Sequence, residues 1–303
     1  MSRGGEEYQI THGDYSAVVT EVGGGLRRLR HGDRDLLLGY EDNEVRPRFR
    51  GSLLAPWPNR VVDGRYSFAG SSYQLDITEP QRQHALHGLV CWARFDLLDS
   101  DVSSVVVGHR LVPQTGYPFE LEVVAHYALG DDGLTCSVSA RNIGAMPAPF
   151  GLASHPYLVP GPGTMDEWTL DLPAEQVQEV TSDRLLPASL SAVEDGDFDF
   201  RDGRRLGDTE VDHAFTSLVP GLDGLVRARV RADGGTGVEC EWDPSTMAWV
   251  QVHTADLPDP AHSRRGLALE PMTCPPDAFN SGTDLIVLEP DAETRAAWTL
   301  RVL

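Results

Sequence analysis

Apolar residues recur at every second position over long stretches of this chain. Leu121, Val123, Ala125 and Tyr127 share one face of a seven-residue run, with Glu122, Val124 and His126 on the other. Leu134, Cys136, Val138 and Ala140 alternate with Thr135, Ser137 and Ser139. Val226, Ala228 and Val230 alternate with Arg227, Arg229 and Arg231, and Val238, Cys240 and Trp242 with Glu239 and Glu241. Ala296, Trp298, Leu300 and Val302 follow the same pattern near the C-terminus. A period of two predicts β-strands with one buried and one wetter face.

Turn residues separate these runs. Gly130-Asp131-Asp132-Gly133 predicts a hairpin connection, as do Ala69-Gly70-Ser71-Ser72 and Ala232-Asp233-Gly234-Gly235. Helical patterning is sparse. Glu175 to Val180 reads as about one helical turn, and Pro56 to Arg60 as irregular chain. Pro160 to Gly163 and Glu194 to Asp197 read as surface loops. Many antiparallel strands with little helix predict an all-β fold, a large antiparallel β-sandwich, and no linker divides it. Residues 1–303 are therefore expected to form a single domain.

Composition narrows the function. Of 303 residues, 41% are apolar, enough for a sizeable core. The formal net charge of −21 disfavours a phosphate backbone or an anionic membrane as partner. All 25 basic residues are arginine. Without a lysine amine there is no Schiff-base aldolase, no pyridoxal-phosphate enzyme and no lysine-bearing phosphate loop. Cys91, Cys136, Cys240 and Cys274 are widely spaced, which supports neither a metal cluster nor a disulfide framework. The polar N-terminus has no apolar signal core, and no apolar run approaches the ~20 residues of a membrane span. The expectation is a cytoplasmic protein.

Five places concentrate polar groups beside turns or strand ends, and each has a structural reading beside the chemical one. In Pro56-Trp57-Pro58-Asn59-Arg60, prolines stiffen the chain before a guanidinium that could bind the hydroxyls of a ligand or make a structural ion pair. In His84-Ala85-Leu86-His87-Gly88, a glycine would let His87 approach a ligand closely; otherwise His87 is an exposed loop histidine. Neither H-x-H nor H-E-x-x-H is present to suggest a metal. In Ser154-His155-Pro156-Tyr157, the proline biases His155 toward extended backbone, for chemistry or for packing beside Tyr157. Asp212, before His213, could accept hydrogen bonds from ligand hydroxyls or sit in a turn. In Leu267-Ala268-Leu269-Glu270-Pro271, alternation places Glu270 opposite Leu267 and Leu269, near a strand end at Pro271. It faces either a cavity or solvent.

These five places, in this order, resemble the site landmarks of the aldose 1-epimerase (galactose mutarotase) family. Asn59-Arg60, Leu86-His87-Gly88, His155-Pro156-Tyr157, Asp212-His213 and Glu270 with Pro276-Asp277-Ala278 carry the resemblance. Val22 to Arg27 and Leu38-Gly39-Tyr40 look like the family's first sheet, so the likeness covers nearly the whole chain. Three departures are expected to touch the sugar pocket. Leu89 follows Gly88 where family members commonly have a second glycine, Ser154 stands for an asparagine, and Met272 for a glutamine.

The resemblance implies a galactose mutarotase-like sandwich that interconverts the α and β anomers of an aldose, an isomerase of carbohydrate metabolism needing no cofactor or metal. It implies Glu270 as the base at the anomeric hydroxyl and His155 as the acid at the ring oxygen. Arg60, His87, Asp212 and Asn59 would bind the sugar, and Trp57 and Tyr157 are candidates for the pocket lining. Two alternatives stay open. An epimerase of a phosphorylated hexose would use clustered cations such as Arg46, Arg48 and Arg50, or Arg264 and Arg265. A non-catalytic sugar-binding or regulatory module would use the same scaffold without an acid–base pair. The sugar, the oligomeric state and any role of Cys274 are not specified by sequence.

Overall fold

The computed structural model describes residues 2–303. Its two largest sheets contain nine and eight strands, and neither is continuous in sequence. The nine-stranded sheet runs in the order Asp96–Ser100, Ser104–Leu111, Leu121–Gly130, Gly133–Asn142, Glu293–Val302, Gly237–Trp242, Val226–Arg231, Thr169–Asp171, Arg204–Arg205. All five alternating runs that open the sequence argument lie in it. Val123, Val138, Trp298, Cys240 and Val230 are buried in one core cluster, while the arginines at 227, 229 and 231 lie on the opposite face.

The eight-stranded sheet has Asp212–Leu218, Trp249–His253 and Leu267–Met272 as central strands. Ala174–Val180 and Pro187–Ala192 flank them on one side, and Ala153–Ser154 and Leu53–Leu54 on the other; Tyr157–Leu158 also pairs with Leu267–Met272. Val250, Val252, Leu267, Leu269 and Phe215 join the same large core as the nine-stranded sheet, which makes the architecture a sandwich. A four-stranded sheet, Glu7–His12, Tyr15–Thr20, Leu26–His31 and Arg34–Asp35, adds Ile10, Ala17, Val19 and Leu29 to that core.

The predicted hairpins form. Gly130 pairs with Gly133, Phe68 with Ser71, and Arg231 with Gly237. Two expectations fail. Glu175 to Val180 is strand, not helix, bonded on both sides within the eight-stranded sheet. Six residues are too few to stabilise a helix alone, so sheet pairing decides. Leu38-Gly39-Tyr40 lies outside the first sheet; Leu38 N donates to Tyr157 O instead, at 2.8 Å. The one α-helix among the described residues is Ala278–Ser281.

Proline 271 shows how the site is opened. The strand passes through Pro271 to Met272, with Pro271 opposite Val250. Leu269 N, two residues earlier and so on the same edge, donates to Pro156 O. In register Pro271 falls opposite Ser154, between the Thr273 N to Leu152 O and Leu269 N to Pro156 O bonds, so the N–H that proline lacks removes one ladder bond just where the neighbouring strand breaks between Ser154 and Tyr157. His155 occupies the interruption.

Candidate functional site

The face of the eight-stranded sheet that points away from the sandwich core carries four polar side chains. Glu270 lies opposite Gln251 in register, and Asp212 opposite His253. Period-two alternation puts all four on one side, together with the small residues Ala214 and Ala268. Two alanines among longer polar groups leave room above the sheet. The result is a cavity of about 190 Å³ lined by those four groups and by Asn59, Arg60, Glu79, His87, His155 and Tyr157, with Arg48, Phe49, Arg82 and Asp256 among its other walls.

The chain segments over this face are held by backbone geometry. Arg60–Val62 pairs with His84–Leu86, and Asn59 and His87 both adopt positive φ, at 52° and 63°. His87 N donates to Asn59 O at 2.8 Å. Gly88 follows at φ 72°, where a Cβ would stand 2.1 Å from Ala55 O. Only glycine permits this approach, which turns His87 inward. Asp277 anchors the same ribbon: its N donates to Arg60 O at 2.8 Å, and its Oδ1 accepts from Val62 N at 2.9 Å.

Arg60 is gripped by a two-point ion pair, Nε to Glu79 Oε2 at 2.8 Å and Nη2 to Glu79 Oε1 at 3.1 Å. Its remaining nitrogen reaches Asn59 Oδ1 at 3.3 Å, and Asp212 lies 3.8 Å away. Gln251 Nε2 donates to Asp212 Oδ1 at 2.7 Å. His155 Nε2 lies 3.3 Å from Glu270 Oε1, with both side chains almost fully buried. The His155 ring stacks on Tyr157 at 5.0 Å and 7°, and meets the edge of His87 at 5.2 Å.

Burial dominates the electrostatics. It raises the Glu270 carboxyl well above the ordinary range, and the negative Asp212 adds to this while Arg60 opposes it. Burial takes His155 down to about 3, with His253 adding to the shift and Asp212 opposing it. His87 is lowered for the same reason, helped by His155, Arg60 and His253. Burial also pushes Asp212 up, but His253, Arg60 and the Gln251 hydrogen bond outweigh it and keep Asp212 ionised. The pocket thus holds a carboxylate at Asp212, a cation at Arg60 and, 3.3 Å apart, Glu270 and His155, both driven by burial toward their uncharged forms. Nδ1 of His87, His155 and His253, and Oε1 of Gln251, are buried without a hydrogen-bond partner. Buried polar atoms are rarely left unpaired in a folded protein, so a polar ligand suits this cavity.

All six sequence-derived site residues, Glu270, His155, Arg60, His87, Asp212 and Asn59, line the one cavity. Glu270 is not a surface glutamate, nor His87 an exposed loop histidine: they are 2% and 6% accessible. Tyr157 lines the pocket. Trp57 does not; its indole N–H donates to Ala85 O and its ring packs on Phe279. Leu89, Ser154 and Met272, expected to touch the pocket, are absent from its lining. Cys274 is buried outside it, its thiol pushed up to about 12 by burial.

Sequence reasoning missed Glu79, Gln251 and His253. Gln251 and His253 alternate with Val250 and Val252, so polar residues at one face of an apolar strand were a usable signal. Glu79 had none, because its role depends on the fold bringing it to Arg60. A second cleft, of about 770 Å³, contains Arg264 and Arg265 but no comparable acid–base pair. Arg264 there is bound to Asp166 and Asp256.

Known proteins are similar to this chain over nearly its whole length. The family model described as aldose 1-epimerase matches residues 6–301. The uncharacterized protein YihR of Escherichia coli K12 is 34% identical over 290 residues, covering 95% of this chain and 91% of its own. Among solved structures, a GalM/aldose epimerase homologue from C. elegans superposes with a TM-score of 0.86 at 19% identity, covering 98% of each chain. Galactose 1-epimerase from Lactobacillus acidophilus NCFM gives 0.81 at 17% identity, covering 98% of this chain and 94% of its own.

Proposed function

Because this chain belongs to the aldose 1-epimerase family, we propose that it interconverts the α and β anomers of a free aldose in the cavity around Glu270 and His155. The observation that carries the reading is the 3.3 Å contact between His155 Nε2 and Glu270 Oε1. The anomeric hydroxyl and the ring oxygen are both bonded to C1, so an acid and a base serving them must be close neighbours. The two groups share one wall of the pocket rather than facing each other across it.

Glu270 takes the proton from the anomeric hydroxyl as His155 gives one to the ring oxygen. The bond from C1 to the ring oxygen breaks and C1 becomes an aldehyde. Rotation about C1–C2 presents the other carbonyl face, and the reverse transfers close the ring. The chemistry needs carboxylate and imidazolium, whereas burial favours carboxyl and imidazole. The two states differ only by moving one proton between the partners, so the total charge is unchanged. Ionised Asp212 favours the imidazolium, and Arg60 favours the carboxylate. Asp212, Arg60, Asn59 and His87 bind the sugar hydroxyls, with Gln251 and Glu79 orienting the first two.

The arrangement disfavours a phosphorylated hexose. Arg46 is committed to Ser52 and Val22 O, and Arg50 to Gly39 O. Within the pocket Arg60 and Arg82 are both paired with Glu79, and Asp212 and Asp256 line it too, which leaves Arg48 alone rather than a cluster of cations to meet a phosphate. A protein without turnover would not need a buried carboxyl and imidazole in contact. We place the protein in the cytoplasm on the strength of its four free cysteines; no helix of the structure is long and apolar enough to cross a membrane. Polarimetry on freshly dissolved aldoses tests the activity. Faster equilibration of at least one free sugar is expected, and rates equal to buffer across the panel would defeat the proposal.

A further inference from the structure

Trp92 is the only aromatic residue with a largely exposed side chain among those described, at 50% accessibility. It is not isolated. The Arg46 guanidinium lies over its ring at 5.2 Å, and Phe49 lies 5.9 Å away. Phe49 in turn meets His87 at 4.6 Å and stacks near His155 at 6.5 Å. A continuous aromatic path thus runs from the proton-transferring pair to the surface in two ring-sized steps. Arg48 and Phe49 both hold left-handed backbone, at φ 49° and 56°. Side chains other than glycine are strained there, and this turn sets the Phe49 ring between pocket and exterior. Val45, 59% accessible, lies in the segment just before Arg46.

Resting on the mutarotase reading of the inner pocket, we propose that Trp92 and Phe49 form an outer sugar subsite that takes the second ring of a reducing disaccharide. The inner cavity, about 190 Å³, accommodates the reducing unit. The unit beyond it leaves along the Phe49 side and lays its apolar C–H face on Trp92. A pyranose presents an apolar face and a rim of hydroxyls. Trp92 offers the matching flat apolar surface, and exposed Arg48 at the cavity wall supplies donors for the rim. An acidic or purely apolar partner would use only half of this surface. Nothing in the proton transfer requires Trp92, so the subsite acts on binding and is read in KM more than in kcat.

The test compares a free hexose with two reducing disaccharides whose reducing unit is that same hexose, linked 1→4 and 1→6, in wild type, Trp92→Ala and Trp92→Phe. In Trp92→Ala the ratio of disaccharide to hexose kcat/KM is expected to fall about tenfold for at least one linkage, through KM. Trp92→Phe is expected to recover most of it. An unchanged ratio for both linkages overturns the subsite. If wild type accelerates no aldose at all, the mutarotase reading fails separately. The subsite is then judged by saturation-transfer NMR of the same disaccharides, where equal binding to wild type and Trp92→Ala overturns it.

Discussion

The two large sheets both carry carboxylates and guanidinium groups on the face turned away from the shared core, yet they use them differently. On the nine-stranded sheet the charges form a cross-strand lattice. Arg229 pairs with Glu239 at 2.6 Å, Arg227 with Glu241 at 2.6 Å, and Arg301 with both glutamates, at 3.3 and 2.5 Å. Each acid faces guanidinium groups that remain a quarter to a third exposed, and such pairs add little beyond register and solubility. On the eight-stranded sheet, chain segments from residues 47–60 and 79–92 wall in a cavity over the face. There the Glu270 carboxyl has no guanidinium of its own, only a neutral imidazole, and burial moves both far from their ordinary proton affinities. Similar residue types on a similar scaffold differ because Glu239 and Glu241, only 5% and 12% exposed at the side chain, have guanidinium partners of their own, and Glu270 has none.

The sharpest way to break the comparison is Glu270→Gln. It is expected to lower kcat by at least about 10³-fold, toward the upper range for a lost acid–base group, with an unchanged circular dichroism spectrum. Retained turnover by polarimetry would remove Glu270 from the proton transfer. The reverse case is Leu300→Ala, in the core under the charge lattice. A loss of about 2–5 kcal/mol in denaturant unfolding is expected, with kcat unchanged in the folded protein.

Arg60→Lys tests the two-point grip of Glu79. A lysine cannot reproduce the fork, so kcat/KM is expected to fall about 10- to 100-fold. A loss below twofold would make the pair purely structural.

The pH dependence of stability separates the faces more finely. Burial raises the folded Glu270 pKa, so its stabilising contribution is full below about pH 4.5 and declines as pH rises toward the folded value. Glutamine shows no such decline. The Tm of Glu270→Gln should therefore gain on wild type by a few degrees between about pH 5 and about pH 8. His155 has the opposite sign. Its folded pKa is lowered from 6.5 to about 3, so its contribution is present above pH 6.5 and lost as pH falls toward 3. His155→Asn should flatten that acid limb. The smallest expected effect is Arg231→Ala, at the exposed edge of the lattice: under about 1 kcal/mol in stability and none in turnover.

The alternating runs from Leu121 to Val302 specified their own strands and buried faces, because period two is a local property of extended chain. The six site residues were legible through short motifs beside turns and strand ends, and the fold brought all six to one cavity. Glu175 to Val180 was misread because six residues carry little helical preference of their own and a sheet with neighbours on both sides outweighs it. Glu79 was invisible, since nothing in its local sequence indicates that Arg60 will meet it.

By itself, the sequence determined the strands of the alternating runs and which face of each is apolar, since both follow from the geometry of one chain. It also supplied a carboxylate and an imidazole with no charge state assigned. Only the tertiary structure decided that Glu270 and His155 meet at 3.3 Å with both side chains almost fully buried. Proton affinity depends on solvent and neighbouring charge, and those are set by residues distant in the chain.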